Sequence, residues 1–184
     1  MSFMKNFGIS LGIFFVLNAI FLFIYAAVGG VGGAAFGAFF GLIGEDLWGF
    51  FTALLTIGGT QADVFASLMY HVNMSANPYP VLTNIVGILW VLVPGLVTAI
   101  ITGSKFSDES SKTAFFGMML AIFVLTVLPI IFAVIPALGI PTSTAIGLSI
   151  VPGMYNLSYV LVILAGIFNG AFFGGIAAMS STSF

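Results

Sequence analysis

Long apolar runs separated by short polar breaks dominate the chain. Three of these runs are uninterrupted and carry no charge, and they cover residues 81–103, 113–135 and 154–178. At about 1.5 Å per residue, each is long enough to cross a hydrocarbon core of roughly 30 Å as an α-helix. The pattern therefore predicts three membrane-spanning helices in this part of the chain.

The breaks between these runs contain residues that end or begin helices. Residues 77–80 include two prolines, residues 104–112 are polar, and residues 136–153 include three prolines. Proline and clustered polar residues favour turns and loops over continued helix. Ser110 or Ser111 is a good candidate for the N-cap of the helix that follows the second break.

The N-terminal region is also apolar, but its division into spans is less direct. Residues 7–28 follow Lys5 and are too long for the apolar region of a signal peptide, so we interpret them as a retained first span. The paired glycines at 29–30 and 32–33 predict a break followed by a second short span ending at residue 44. The alternative keeps these glycines helical in one steep span over residues 20–44.

Residues 47–72 are interrupted by Gly58-Gly59 and form either a kinked span, which we favour, or an interfacial helix. Lysines concentrate in cytoplasmic loops, so we expect Lys5, Lys105 and Lys112 on one side of the membrane. This arrangement requires an even number of crossings between Lys5 and the other two. Six spans in total satisfy this condition, and so do four if residues 29–72 stay on the far side.

The predicted fold class is thus an all-α, polytopic integral membrane helical bundle with six transmembrane helices, and four is the alternative count. Composition supports a lipid environment, since 61% of residues are hydrophobic and only 4% are charged. We expect a single transmembrane domain over residues 1–184 with no soluble domain. We also expect a prokaryotic cytoplasmic membrane, with both termini in the cytoplasm.

Composition excludes several classes of function. The chain has no cysteine, which excludes disulfides, thiolate-held clusters and the usual structural zinc sites. Three lysines and no arginine provide no basic patch for nucleic acid. A single histidine and the absence of known catalytic motifs leave few groups for acid–base or covalent catalysis. We therefore expect no enzyme activity and no catalytic, cofactor or metal site.

The clearest local pattern is a set of glycines spaced four residues apart, a spacing that places them on one helix face. The two rows are Gly29, Gly33, Gly37 and Gly41, and Gly166, Gly170 and Gly174. Faces without side chains let helices approach closely, so both rows predict glycine-zipper packing within the chain, in self-association or with other membrane subunits. The string Gly-Ala-Phe-Phe-Gly occurs in both rows and is either a trace of internal duplication or a coincidence.

Acidic residues inside a membrane are the best sequence signal for an ion or proton path. Glu45 and Asp46 fall at a water interface in the six-span arrangement, but at mid-membrane if residues 34–58 form one helix. Asp63 lies either at an interface, which we favour, or in a polar cavity. The single histidine, His71, is best interpreted as an interfacial anchor.

Trp90 differs from the other tryptophan and most tyrosines, which fall near predicted span ends as interfacial aromatic residues do. It lies in the middle of the predicted span over residues 81–103. We therefore expect its side chain to pack inward.

Two functions fit these features. The first is a non-catalytic integral membrane subunit that packs through its glycine faces in a larger membrane protein complex. The second is a small-solute or ion transporter component with a cavity within the bundle, lined by Asp63, Asn84, Asn169 or residues 136–153. The stretch over residues 33–47 resembles the small-residue helix followed by an acid in the substrate-binding subunits of energy-coupling-factor vitamin transporters. Those subunits are also six-span proteins of similar size, and the resemblance covers about a tenth of the chain.

Overall fold

Four long helices make up most of the part of the chain that the computed structural model describes, which is residues 3–28, 72, 80–106, 110–134 and 159–182. The helices are α1 (Phe3–Val28), α2 (Val81–Ile101), α3 (Ser111–Val134) and α4 (Tyr159–Thr182). A π-helical turn, Thr102–Phe106, continues α2. The described residues include no strand.

All four helices are long and apolar enough to cross a membrane. The predicted six-span count is not supported, whereas the alternative count of four is. The two additional predicted spans, residues 29–44 and 47–72, lie outside the described residues, apart from Val72.

The helix ends follow local sequence chemistry. Pro80 precedes the first residue of α2, where its missing N–H removes no helical hydrogen bond. Ser110 caps α3, since its Oγ accepts a hydrogen bond from the backbone N–H of Thr113 at 3.3 Å. The predicted cap at Ser110 is therefore confirmed.

Helices that follow one another in the described part of the chain run antiparallel. Gly166, Gly170 and Gly174 of α4 face successively earlier residues of α3, from Thr126 back to Phe115. At the start of α1, Asn6 lies against Gly117 near the start of α3, so these two helices run in the same direction. The start of α1, the end of α2, the start of α3 and the end of α4 therefore lie at one end of the bundle.

Each helix has two main neighbours among the four. Helix α1 packs against α2 and α3, and α4 packs against the same two helices, so α1 and α4 occupy opposite corners. The centre is filled by large apolar side chains, including Phe14, Val91, Met118 and Phe173, none more than 2% exposed. The outer faces are apolar as well, for example Met4 at 65% and Phe168 at 64% exposed.

Candidate functional site

Uncharged polar side chains lie inside the bundle, while large apolar side chains face outward. The buried polar residues in the described part are Asn6, Ser10, Asn18, Thr83, Asn84, Thr98, Thr102, Thr126 and Asn169. In hydrocarbon a polar group without a partner is costly, so such side chains are expected to hydrogen-bond inside the protein. They are the described residues whose chemistry most needs an explanation.

Most of the buried hydroxyls bond to the backbone of their own helix. Thr98 Oγ1 donates to the carbonyl oxygen of Pro94 at 2.6 Å, and Thr102 Oγ1 donates to that of Thr98 at 2.7 Å. Thr126 Oγ1 donates to the carbonyl oxygen of Ile122 at 2.9 Å. Threonine commonly forms this bond in helices, and it engages the donor hydrogen of the hydroxyl.

Asn18 and Trp90 form a hydrogen bond between α1 and α2. Trp90 Nε1 donates to Asn18 Oδ1 at 2.9 Å, and Tyr25 stacks on the indole with ring centroids 5.3 Å apart. Trp90 is only 8% exposed, which confirms the prediction that it packs inward. Because both partners lie in the middle of long apolar helices, this bond fixes the position of α1 along α2.

A second polar pair, Asn6 and Ser10, lies at the end of the bundle where α1 begins. Ser10 Oγ donates to Asn6 Oδ1 at 3.3 Å, and Asn6 is fully buried beside Gly117 of α3. The Asn6 amide nitrogen has no hydrogen-bond partner, nor does the hydroxyl of Thr83 near the opposite end. Both atoms are fully enclosed in the structure.

Asn84 and Asn169, two of the predicted cavity residues, are fully buried in α2 and α4. The other predicted cavity residues, Asp63 and residues 136–153, lie outside the described part, as do Glu45, Asp46 and His71. Among the described residues, no group of histidine, cysteine, aspartate or glutamate is arranged to hold a metal.

The three lysines, which are all the basic residues of the sequence, come together at one end of the bundle. Lys5 lies in the first turn of α1, Lys105 in the π-helical turn after α2, and Lys112 in the first turn of α3. All three side chains are exposed. We call this end of the bundle the lysine end.

The C-terminal glycine row packs against α3 of the same chain. A Cβ atom added at Gly170 would lie 2.6 Å from the carbonyl oxygen of Met119, and one at Gly174 would lie 2.8 Å from that of Phe115. At Gly166 it would lie 3.2 Å from the ring of Phe123. This helix pair therefore depends on the absence of side chains at the three positions. The row from Gly29 to Gly41 lies outside the described residues.

Close glycine contacts also occur on α2, where the sequence had not predicted them. A Cβ at Gly95 would overlap the ring of Phe173, and one at Gly103 would overlap the carbonyl oxygen of Ala177. The sequence does contain a signal for this face, because buried residues recur there every four positions: Gly87, Val91, Gly95, Ala99 and Gly103. It was missed because valine and alanine alternate with the glycines in this row.

The described site residues thus provide packing and internal hydrogen bonds, and no acid, base, nucleophile or metal ligand set. Comparisons of the chain with protein-family models, curated proteins and solved structures find no match.

Proposed function

We propose that this protein is a non-catalytic integral membrane subunit that packs by its helices in a larger membrane protein complex. The observation that carries the proposal is the closed centre of the four described helices. A solute path between them would pass through the space that Phe14, Met118 and Phe173 fill, and these side chains are at most 2% exposed. The hydroxyls with known partners are bonded to their own helices, which supports a structural role for them.

The faces available to partners are apolar and lie on the outside of the bundle. On α1, Val16, Ile20 and Ile24 recur every four residues and are 44% to 53% exposed. The row from Gly29 to Gly41 follows directly in the sequence and has the spacing of a helix-association face. We propose that partner subunits, or a second copy, bind at this N-terminal region, because the glycines of α4 already contact α3 within the chain.

The lysine end is proposed to face the cytoplasm, with both termini on that side of a prokaryotic cytoplasmic membrane. Lysine excess near span ends is typical of cytoplasmic surfaces, and every basic residue of this chain lies at that end. The cysteine-free sequence makes this testable with single cysteines. Ser110→Cys at the lysine end should react with a membrane-impermeant maleimide only after cells are opened, whereas Val81→Cys at the other end should react from outside. The reverse pattern would contradict the orientation.

The main experiment tests for stoichiometric partners. The tagged protein is extracted from native membranes in a mild detergent, and the particle mass and composition are measured by light scattering and mass spectrometry. We expect a defined complex that Gly33→Ile or Gly37→Ile disrupts. Gly12→Ile is the control, because a Cβ at Gly12 would meet no atom within 4 Å. A stable monomeric particle without stoichiometric partners would overturn the proposal.

A transporter component is the second candidate, and the burial of Asn84 and Asn169 favours it. Neutral amides inside a bundle are able to orient a polar solute without the cost of a buried charge. Asn84→Leu and Asn169→Leu should then abolish binding of a vitamin-sized solute while leaving particle mass unchanged. If the subunit proposal is correct, the same variants will alter stability alone.

A further inference from the structure

An apolar groove opens along the outside of α3, with one lining residue from α1 on one side and one from α4 on the other. Its volume is about 250 Å³. The residues that line it are Phe3, Phe116, Met119, Leu120, Phe123 and Ile167. Every lining residue is apolar, so the groove suits a hydrocarbon chain and offers no hydrogen bond to a polar solute.

The α3 wall of the groove leads directly to Lys112 at the lysine end. Counted from Lys112, the α3 lining residues are four, seven, eight and eleven positions further on, which is the spacing of one helix face. Lys112 is exposed and lies one turn before Phe116, the lining residue nearest to it on α3. A positive charge therefore stands at the water-facing end of an apolar stripe.

The α3 face from Lys112 to the last groove residue, Phe123, has the length of one membrane leaflet. From Lys112 to Phe123 is eleven residues, or roughly 16 Å of helix. Half of a hydrocarbon core of about 30 Å is roughly 15 Å. Lys112 and the groove together therefore extend from the lysine-end surface to about the bilayer midplane, as one phospholipid does.

We propose that this groove binds an anionic phospholipid from the leaflet at the lysine end, with an acyl chain along α3 and the headgroup phosphate at Lys112. The lysine selects the charge of the headgroup, and the apolar lining holds the chain. One lysine near a membrane surface gives about a fivefold preference for an anionic over a neutral lipid. The proposal needs only the membrane location of the bundle, so it stands or falls separately from the subunit function and from the cytoplasmic orientation.

The test measures lipid selectivity of the full chain in vesicles. Spin-labelled phosphatidylglycerol and phosphatidylcholine are compared by electron paramagnetic resonance, which resolves lipid immobilised on the protein. We expect about fivefold stronger immobilisation of phosphatidylglycerol, lost in Lys112→Gln and retained in Lys105→Gln. Lys105 is the matched control because it is exposed at the same end of the bundle but does not lie on the apolar stripe of α3. Each lysine also has an acidic residue three positions away in the sequence, Asp108 for Lys105 and Glu109 for Lys112. Equal loss in both variants, or in neither, would overturn the proposal.

A second variant tests the acyl chain separately from the headgroup. Leu120→Trp fills the groove and should reduce immobilisation of both lipids. Phe168→Trp, at an outward position of α4, should leave it unchanged. In native membranes, a photoreactive residue at position 120 should crosslink to lipid. Crosslinking to a protein would mean that a partner helix occupies the groove, and would also overturn the proposal.

Discussion

Substituting Gly170 with alanine tests whether the α3–α4 contact is a close backbone approach. The added Cβ would lie 2.6 Å from the carbonyl oxygen of Met119 and 3.1 Å from its Cγ. A carbon in favourable contact with a carbonyl oxygen lies about 3.3 Å or more away, so the helices must separate by roughly 0.7 Å. A gap of this size forfeits a quarter to a half of the dispersion energy of the contacts it opens. We expect Gly170→Ala to destabilise the protein by about 2 kcal/mol, within the usual range for overpacking.

The assay measures unfolding of the purified protein in detergent, by SDS titration and by the fraction that stays monodisperse after heating. For a chain of this size, about 2 kcal/mol corresponds to a decrease in Tm of about 4–8 °C. Gly175→Ala is the control on the same helix, because its Cβ would meet no atom within 4 Å. It should leave stability unchanged or raise it by up to about 1 kcal/mol. Equal Tm values for the two variants would refute the reasoning, as would a change in Gly170→Ala confined to oligomer size.

Three further substitutions test the interior. Gly95→Ala should lower the free energy of unfolding by about 1–3 kcal/mol in the same assay, because the new methyl overlaps the ring of Phe173. The loss should be much smaller in a Phe173→Leu background. Additive effects of the two substitutions would contradict the contact. Trp90→Phe removes the 2.9 Å hydrogen bond to Asn18. A double-mutant cycle with Asn18→Ala should give a coupling energy of about 0.6 kcal/mol between the two side chains. A coupling energy of zero would contradict this prediction. Thr126→Val should change stability by less than about 1 kcal/mol, because the hydroxyl bonds only a carbonyl of its own helix. A cost above about 2 kcal/mol would show that this hydroxyl has another partner.

Hydropathy and helix-breaking residues were sufficient to predict α2 and α3, with ends within about three residues of those observed. Both helices contain long uncharged runs, and they begin directly after Pro80 and Ser110, where backbone chemistry fixes the boundary. The count of six is not supported, and the two additional predicted spans lie outside the described residues, apart from Val72.

The sequence predicted which helix faces pack closely, but not which helices they pack against. The four-residue spacing identified the surface formed by Gly166, Gly170 and Gly174, yet spacing carries no information on which helix covers it. The structure assigns that surface to α3 of the same chain. Trp90 was correctly expected to be buried from its central position. Its bond to Asn18 spans 72 residues of sequence and required the fold.

The interior of the described bundle contains polar side chains, and none of them is charged. A charged side chain within a span costs several kcal/mol and is retained mainly where an ion or proton moves. In the described helices the only charged side chains are lysines in or near terminal turns, whereas the interior polar groups are asparagine, serine and threonine. Neutral groups of this kind set helix position at low cost, as Asn18 does for α1 and α2. This arrangement supports the proposal that the outer apolar faces of the bundle, rather than its interior, contact lipids and partner subunits.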